Sequence, residues 1–316
     1  CMNCHSFRMH DPDDMLFHMR STYGGTYVWT NGVLEKLDGK VSDAIQSLVY
    51  PYWHPSGDYV AFSTNQTKQM FHMKDKNRIE VFDMSSDVLV YDVKNHRVVT
   101  DSLLFSKQAF ETFPSFSPDG KTLYFSSSVA QKMPIDYKKV KYNICSISFD
   151  AETGRFGTQV DTLFSVEQTG KTGTFPRVSP DGKFLAFTEA DYGNFTIWHK
   201  EADLCLIDLK TKEIKSLDAL NSLEAESYHA WSSNGRWLVF ASRRDDGLYS
   251  RPYIAYIDEE GTAHKAFVVP QASPDAYWDG LKSYNVPEFI TGPVNLQRKA
   301  VVEMAKHGQA KKVTAQ

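Results

Sequence analysis

The stretch Phe113–Ser128, FPSFSPDGKTLYFSSS, recurs three more times without a gap in this 316-residue chain. It returns as Tyr50–Asn65 (YPYWHPSGDYVAFSTN), Phe175–Ala190 (FPRVSPDGKFLAFTEA) and Tyr228–Arg243 (YHAWSSNGRWLVFASR). Each copy reads as a short strand, a tight turn and a second strand. In the turn, Pro presets φ and Asp or Asn tolerates the left-handed region. Gly57, Gly120, Gly182 or Gly235 then takes positive φ without a Cβ clash. The strand after the turn, as in Leu123-Tyr124-Phe125 and Leu185-Ala186-Phe187, is apolar enough for burial on both faces.

A second hairpin follows within each period. These hairpins run Leu89–Val99 around Lys94 and Asn95, Asn143–Phe156 around Glu152–Gly154, Leu204–Leu217 around Lys210–Lys212, and Pro252–Phe267 around Glu259–Gly261. Each period therefore supplies four antiparallel strands, and a four-stranded sheet at this repeat length is a propeller blade. The predicted fold class is all-β, a β-propeller of four-stranded antiparallel blades. A β-sandwich with accidental repeats would not produce four ungapped copies.

Outside the four copies, Leu16–Arg20 (LFHMR) is similar to Met70–Lys74 (MFHMK), and Gly25–Leu37 reads as an outer hairpin turning at Asn31-Gly32. By that register Asn3–Phe7 fills the slot of a second strand, so residues 1–40 are read as a partial first blade. Residues 41–275 are four whole blades, and the intact ring would hold five to six. Residues 276–316 are read as a closing segment, with Tyr277–Phe289 the candidate strand. A polar tail follows, with a helix at Lys299–Lys306 that frays afterwards.

Composition narrows the function classes. With 35 Lys and Arg against 39 Asp and Glu, the net charge is −4, which provides no basic field for nucleic acid. Aromatic content of 13 %, with 20 Phe and 16 Tyr, suits strands. No run of eighteen apolar residues spans a membrane. No G-x-S-x-G elbow occurs, which argues against the propeller half of a serine peptidase. Residue 1 is Cys, so the chain is read as processed or cut from a longer one, with Cys1 a lipid-anchor candidate if a signal preceded it.

The repeat F-[ST]-P-D-G-[KR]-x-[LI]-x-[FY]-x-S, matched by Phe116–Ser126 and Val178–Thr188, resembles the WD-like propeller repeat of the TolB family of the bacterial periplasm. Trp53–Ser63 and Trp231–Ser242 match it with His-Pro-Ser-Gly and Ser-Ser-Asn-Gly turns. The combination CMNCHSF, MLFHMR, GGT and YWHPSGDYVAFSTN further resembles TolB-like envelope proteins of Bacteroidetes-type bacteria, which have more sequence upstream of the cysteine motif. The resemblance implies a periplasmic or outer-membrane-associated scaffold whose partners are envelope proteins. It is specific for fold, because such repeats serve scaffolds, peptidases and cytochromes alike.

One motif carries chemistry. Cys1-Met2-Asn3-Cys4-His5 is C-x-x-C-H, the c-type haem attachment pattern, in which two thiols reach the porphyrin vinyls and the His ligates iron. Zinc or another metal, and a structural or disulfide pair, are the alternative readings. The candidate distal ligands are Met15 or His18, with His10 and His72 behind them. The plainer reading of Met15 and His18 is a blade-edge strand. Cys145 and Cys205 fall in third strands of different blades and read as core thiols. Asp11-Pro12-Asp13-Asp14 offers hard oxygens for calcium but lacks the Gly and distal Glu of a recognised loop, so a solvated turn is expected. Arg243–Gly247 reads as a charged loop near the central opening. The expectation is an envelope scaffold carrying one haem for electron transfer or redox sensing with a redox partner; the alternative is a haem-free interaction scaffold.

Overall fold

The computed structural model describes residues 2–273 and 275–315, in which the repeat becomes five antiparallel sheets. The first holds β1 (Met2–Phe7), β2 (Met15–Met19), β3 (Gly25–Thr30) and β4 (Val33–Asp38). The second holds β5 (Val49–Trp53), β6 (Tyr59–Phe71), β7 (Ile79–Asp92) and β8 (Arg97–Val99). The third is β9 (Ala109–Phe116), β10 (Thr122–Val129), β11 (Asn143–Asp150) and β12 (Arg155–Phe164). The fourth is β13 (Thr172–Val178), β14 (Phe184–Ala190), β15 (Asp203–Asp208) and β16 (Ile214–Ser216). The fifth is β17 (Glu226–Trp231), β18 (Trp237–Ser242), β19 (Arg251–Tyr256) and β20 (Phe267–Val268). The fold is a β-propeller with β1, β5, β9, β13 and β17 innermost.

Apolar clusters join neighbouring sheets and hold the ring together. Leu16, Val28, Trp53, Phe62 and Tyr91 pack between the first and second. Ala61, Val90, Phe116, Phe125 and Phe149 join the second to the third. Ile144 and Phe164 meet Leu185 and Phe187 between the third and fourth. Phe184 and Leu206 meet Trp231 and Phe240 between the fourth and fifth. The Ser-Pro-Asp-Gly turns close as their chemistry demands: Ser117 N donates to Thr122 O at 2.8 Å, and Asp119 Oδ1 accepts from Ser117 Oγ at 2.6 Å. Gly120 has φ of +74°, and a Cβ there would lie 2.2 Å from His54 Nε2. Only glycine fits that approach.

The first sheet differs by one strand from the register read in the sequence. β1 is innermost, not second, so the first forty residues supply a full set of four strands. The reason is an insertion. Arg8 N bonds Asp14 O at 2.9 Å, where Ser117 N bonds Thr122 O, so Cys4–Phe17 is a fifth copy of the repeat with one extra turn residue and no Gly. Phe71 and His72 suggested the other register; Phe71 ends a 13-residue β6 that outruns its blade, and His72 follows it.

Between the fifth and first sheets runs the segment 284–291. Tyr284 N donates to Ser250 O (2.9 Å) and Ser250 Oγ to Asn285 Oδ1 (2.6 Å) on one side. Phe7 N donates to Glu288 Oε2 (3.1 Å), and Thr291 N to His10 O (3.0 Å), on the other. This segment joins the two blades without forming a strand of its own. The helix Arg298–His307 follows, packing Val301 and Met304 against the first sheet. The tail beyond does not fray. β21 (Lys311–Lys312) pairs parallel with β4, and β22 (Thr314–Ala315) parallel with β8, on the outer edges of the first and second sheets.

Candidate functional site

Each innermost strand carries one non-glycine residue in the left-handed region, at the same repeat position. These are Cys4 (φ +51°), Tyr50 (+51°), Phe113 (+53°), Phe175 (+55°) and Tyr228 (+51°). Each sits at a register shift in its strand pair, so the five blades share one bulge that turns these side chains inward. The aromatics contact in sequence: Tyr50–Phe113 at 4.7 Å, Phe113–Phe175 at 3.7 Å and Phe175–Tyr228 at 4.6 Å between ring centroids. Cys4 is the one member without a ring. It occupies the fifth position between Tyr228 and Tyr50.

The next residue in each copy is Pro51, Pro114 and Pro176 in the middle three blades, but His5 and His229 in the first and last. The first and last blades flank the closing segment. Both histidines therefore come to one cavity of about 410 Å³, which is also lined by Cys4, Arg20, Tyr50, Lys68, Arg177, Phe195, Trp198, Tyr228 and Glu288. Thr67, Gln69 and Val81 from the β6–β7 hairpin add to the wall. That hairpin arches from the second blade to the fourth. Asp83 accepts from Asn194 Nδ2 (2.6 Å), and Glu80 accepts from Tyr192 Oη (2.6 Å) and meets His199 Nε2 at 3.0 Å. A second cavity of about 160 Å³, lined by Phe7, Trp53, Phe116 and Trp231, shares Arg177 and Glu288 with the first.

Burial sets the electrostatics. It pushes the Cys4 thiol up, against the opposing Tyr50 amide and Arg20 charge, so the sulfur is held protonated. It pulls His5 down, keeping its imidazole neutral. His229, 3 % exposed, is pulled down to about 3 by the same cause. The backbones of Ala186 and Phe175 are near its ring, but neither nitrogen has hydrogen-bond geometry to any group. Burial raises the Glu288 carboxyl to about 8, opposed by the Phe7 amide and the Arg177 charge. The Arg177 guanidinium lies over the Tyr52 ring at 5.0 Å.

The sequence-predicted residues divide accordingly. Cys4 and His5 meet at the cavity, while Cys1 lies outside the described residues. Met15 is buried in the first blade against Phe17 and Tyr27. His18 bonds Thr26 Oγ1 at 3.2 Å beside a different, surface recess. His10 meets Phe289 O at 3.0 Å, and His72 Nε2 meets Tyr137 Oη at 3.3 Å. Cys145 and Cys205 are buried in third strands as core thiols. The acidic turn is engaged internally: Asp14 pairs with Arg8, Asp13 accepts from Asn295 at 3.0 Å, and Asp11 from the Asp13 amide at 2.9 Å. Arg243 does not line the cavity; it stacks on Trp198, which does, at 4.7 Å. His229 is the residue the sequence reading missed. Its signal was present as the second departure from proline in an otherwise Pro-bearing column.

No family model matches the chain, and no curated protein sequence matches it. Among solved structures the fold is that of TolB-like propellers. A putative TolB from Agrobacterium tumefaciens superposes with a TM-score of 0.54 at 16 % identity, over 85 % of this chain and 80 % of that one. A puromycin-hydrolysing peptidase from Mycobacterium tuberculosis reaches 0.50 at 11 % identity, over 88 % of this chain and 39 % of that one. The class is thus the β-propeller, with TolB among the structures it is similar to. No helix among the described residues is long and apolar enough to cross a membrane.

Proposed function

We propose that this chain is a TolB-like envelope propeller scaffold carrying one c-type haem, attached through Cys1 and Cys4 with His5 as the proximal ligand, in electron transfer or redox sensing. The observation that carries this reading is that Cys4 and His5 line the same roofed axial cavity. The donor set suits the group: a neutral imidazole is the form that ligates iron, and Cys4 is the thiol at the axis. Phe195, Trp198 and Tyr228 offer ring faces, and Arg20, Lys68 and Arg177 offer cations for propionates. Bound there, haem supplies one-electron chemistry. The chain's own residues would hold it, keep His5 unprotonated and limit water. A single haem needs a redox partner, and c-type attachment occurs outside the cytoplasm, which agrees with the envelope placement implied by the TolB resemblance.

The test is a visible spectrum and intact mass of the chain, with its upstream sequence, produced alongside c-type maturation machinery. A Soret band with a mass gain of one haem on Cys1 and Cys4 is expected. A colourless protein with both thiols free overturns the haem and leaves the scaffold. That second reading has its own support: Phe71 is 74 % exposed and Met73 88 %, at the hairpin tip, where a protein partner would bury them.

A further inference from the structure

The β6–β7 hairpin ends in a tip that is anchored by one residue and left apolar by its neighbours. His72 N donates to Arg78 O at 2.8 Å, which closes the tip, and the His72 ring stacks with Tyr137 of the third blade. Phe71 and Met73, on either side of His72, stay in solvent at 74 % and 88 % exposure. Ile135, two residues before Tyr137 on the loop that packs against the tip, is 71 % exposed.

Cations surround these side chains. Residues 71–79 and 130–141 hold seven Lys and Arg against two Asp, in a chain whose net charge is −4. Lys138 pairs with Asp75, Lys139 with Asp136, and Lys76 with Asp191 and Glu201 of the fourth blade. That consumes both local carboxylates. Lys74, Arg78 and Lys132 are exposed and, among the described residues, pair with no carboxylate. Arg78 donates to Met73 O, which holds its guanidinium at the tip.

We propose that this tip docks the propeller on an anionic lipid surface, with Phe71, Met73 and Ile135 entering the headgroup layer and Lys74, Arg78 and Lys132 meeting lipid phosphates. Charge selects the occupant, because a local excess of cations on an otherwise acidic chain is complementary to anionic headgroups. Shape agrees with it. A stable protein interface buries about 800 Å² on each partner. Three apolar side chains at a projecting tip, set among long cationic ones, form instead the small amphipathic insert that a membrane interface takes up. The docking does not depend on the haem reading.

The test is co-sedimentation of the full chain, with and without haem, with vesicles of phosphatidylcholine alone or mixed with phosphatidylglycerol. Binding is expected to the mixed vesicles, with release at high salt, and little to phosphatidylcholine. A Phe71→Ser, Met73→Ser double variant should bind about tenfold more weakly or worse. A Lys74→Glu, Lys132→Glu pair should lose about as much. All four positions are solvent-exposed, so both variants should keep the wild-type circular dichroism and thermal midpoint. Absence of vesicle binding overturns the proposal and leaves the tip to a protein partner. Vesicle binding that both variants retain also overturns it, since another surface then carries the contact. Either result leaves the haem reading untouched, and a haem-free chain that binds these vesicles supports the docking alone.

Discussion

Glu111 illustrates how a single buried carboxyl ties this fold to pH. It is 2 % exposed, its Oε1 accepts from Ser127 Oγ at 3.3 Å, and its Oε2 has no partner. Burial first, then the Asp87 charge, raises it to about 8, with only Ser127 opposing. A carboxyl whose folded pKa lies above its unfolded value binds more protons in the native state. Stability therefore falls as pH rises from about 4.5 to about 8, then levels. Glu111→Gln should flatten that decline and make the variant more stable above pH 8, by on the order of 2–4 kcal/mol. Urea unfolding between pH 5 and 9 reads it; parallel curves for variant and wild type would refute it. His229, displaced downward, acts with the opposite sign, its contribution rising from about pH 3 to its ordinary value near 6.5.

Among the elements, the β6–β7 hairpin departs furthest from the repeat. The two strands pair from Tyr59–Asp92 out to Phe71–Ile79, well past the blade, and the overhang reaches the fourth blade through buried polar groups. Asp83 is the central latch, accepting from Asn65 (2.6 Å), Thr67 (2.7 Å) and Asn194 (2.6 Å). Removing it orphans the Thr67 hydroxyl and the Asn194 amide and leaves Asn65 Nδ2 with Thr112 Oγ1 alone. Asp83→Ala should destabilise the hairpin locally by about 2–3 kcal/mol and raise amide exchange in residues 65–83, leaving β10 and β14 protected. Uniform exchange across all blades would show instead that the hairpin is part of the global core.

At the scale of the whole molecule, ring closure is the decisive event, and it is made twice. The segment 284–291 bridges the fifth and first blades near the axis, and the tail clasps the first and second blades at the rim. Val313, 1 % exposed, inserts into the cluster those two blades share. Val313→Asp buries an unpaired charge there and should cost about 2–4 kcal/mol. Limited proteolysis should then cut first in the tail and first blade. A thermal midpoint equal to wild type would mean the clasp contributes nothing to closure.

The chain's own pattern determined the architecture, because turn residues and alternating apolar strands are local chemistry repeated at a fixed period. It also placed Cys145 and Cys205 in buried third strands. The first blade was harder to read, since one inserted residue and the loss of the turn glycine hid the copy Cys4–Phe17. Only tertiary structure brought His5 and His229, 224 positions apart, to one cavity, because that meeting depends on the ring closing. The tail pairing likewise lay beyond sequence reasoning. Two-residue strands join sheet edges through backbone groups, which every residue type shares. Periodicity decides what each blade is; closure decides which blades meet, and therefore where the chemistry sits.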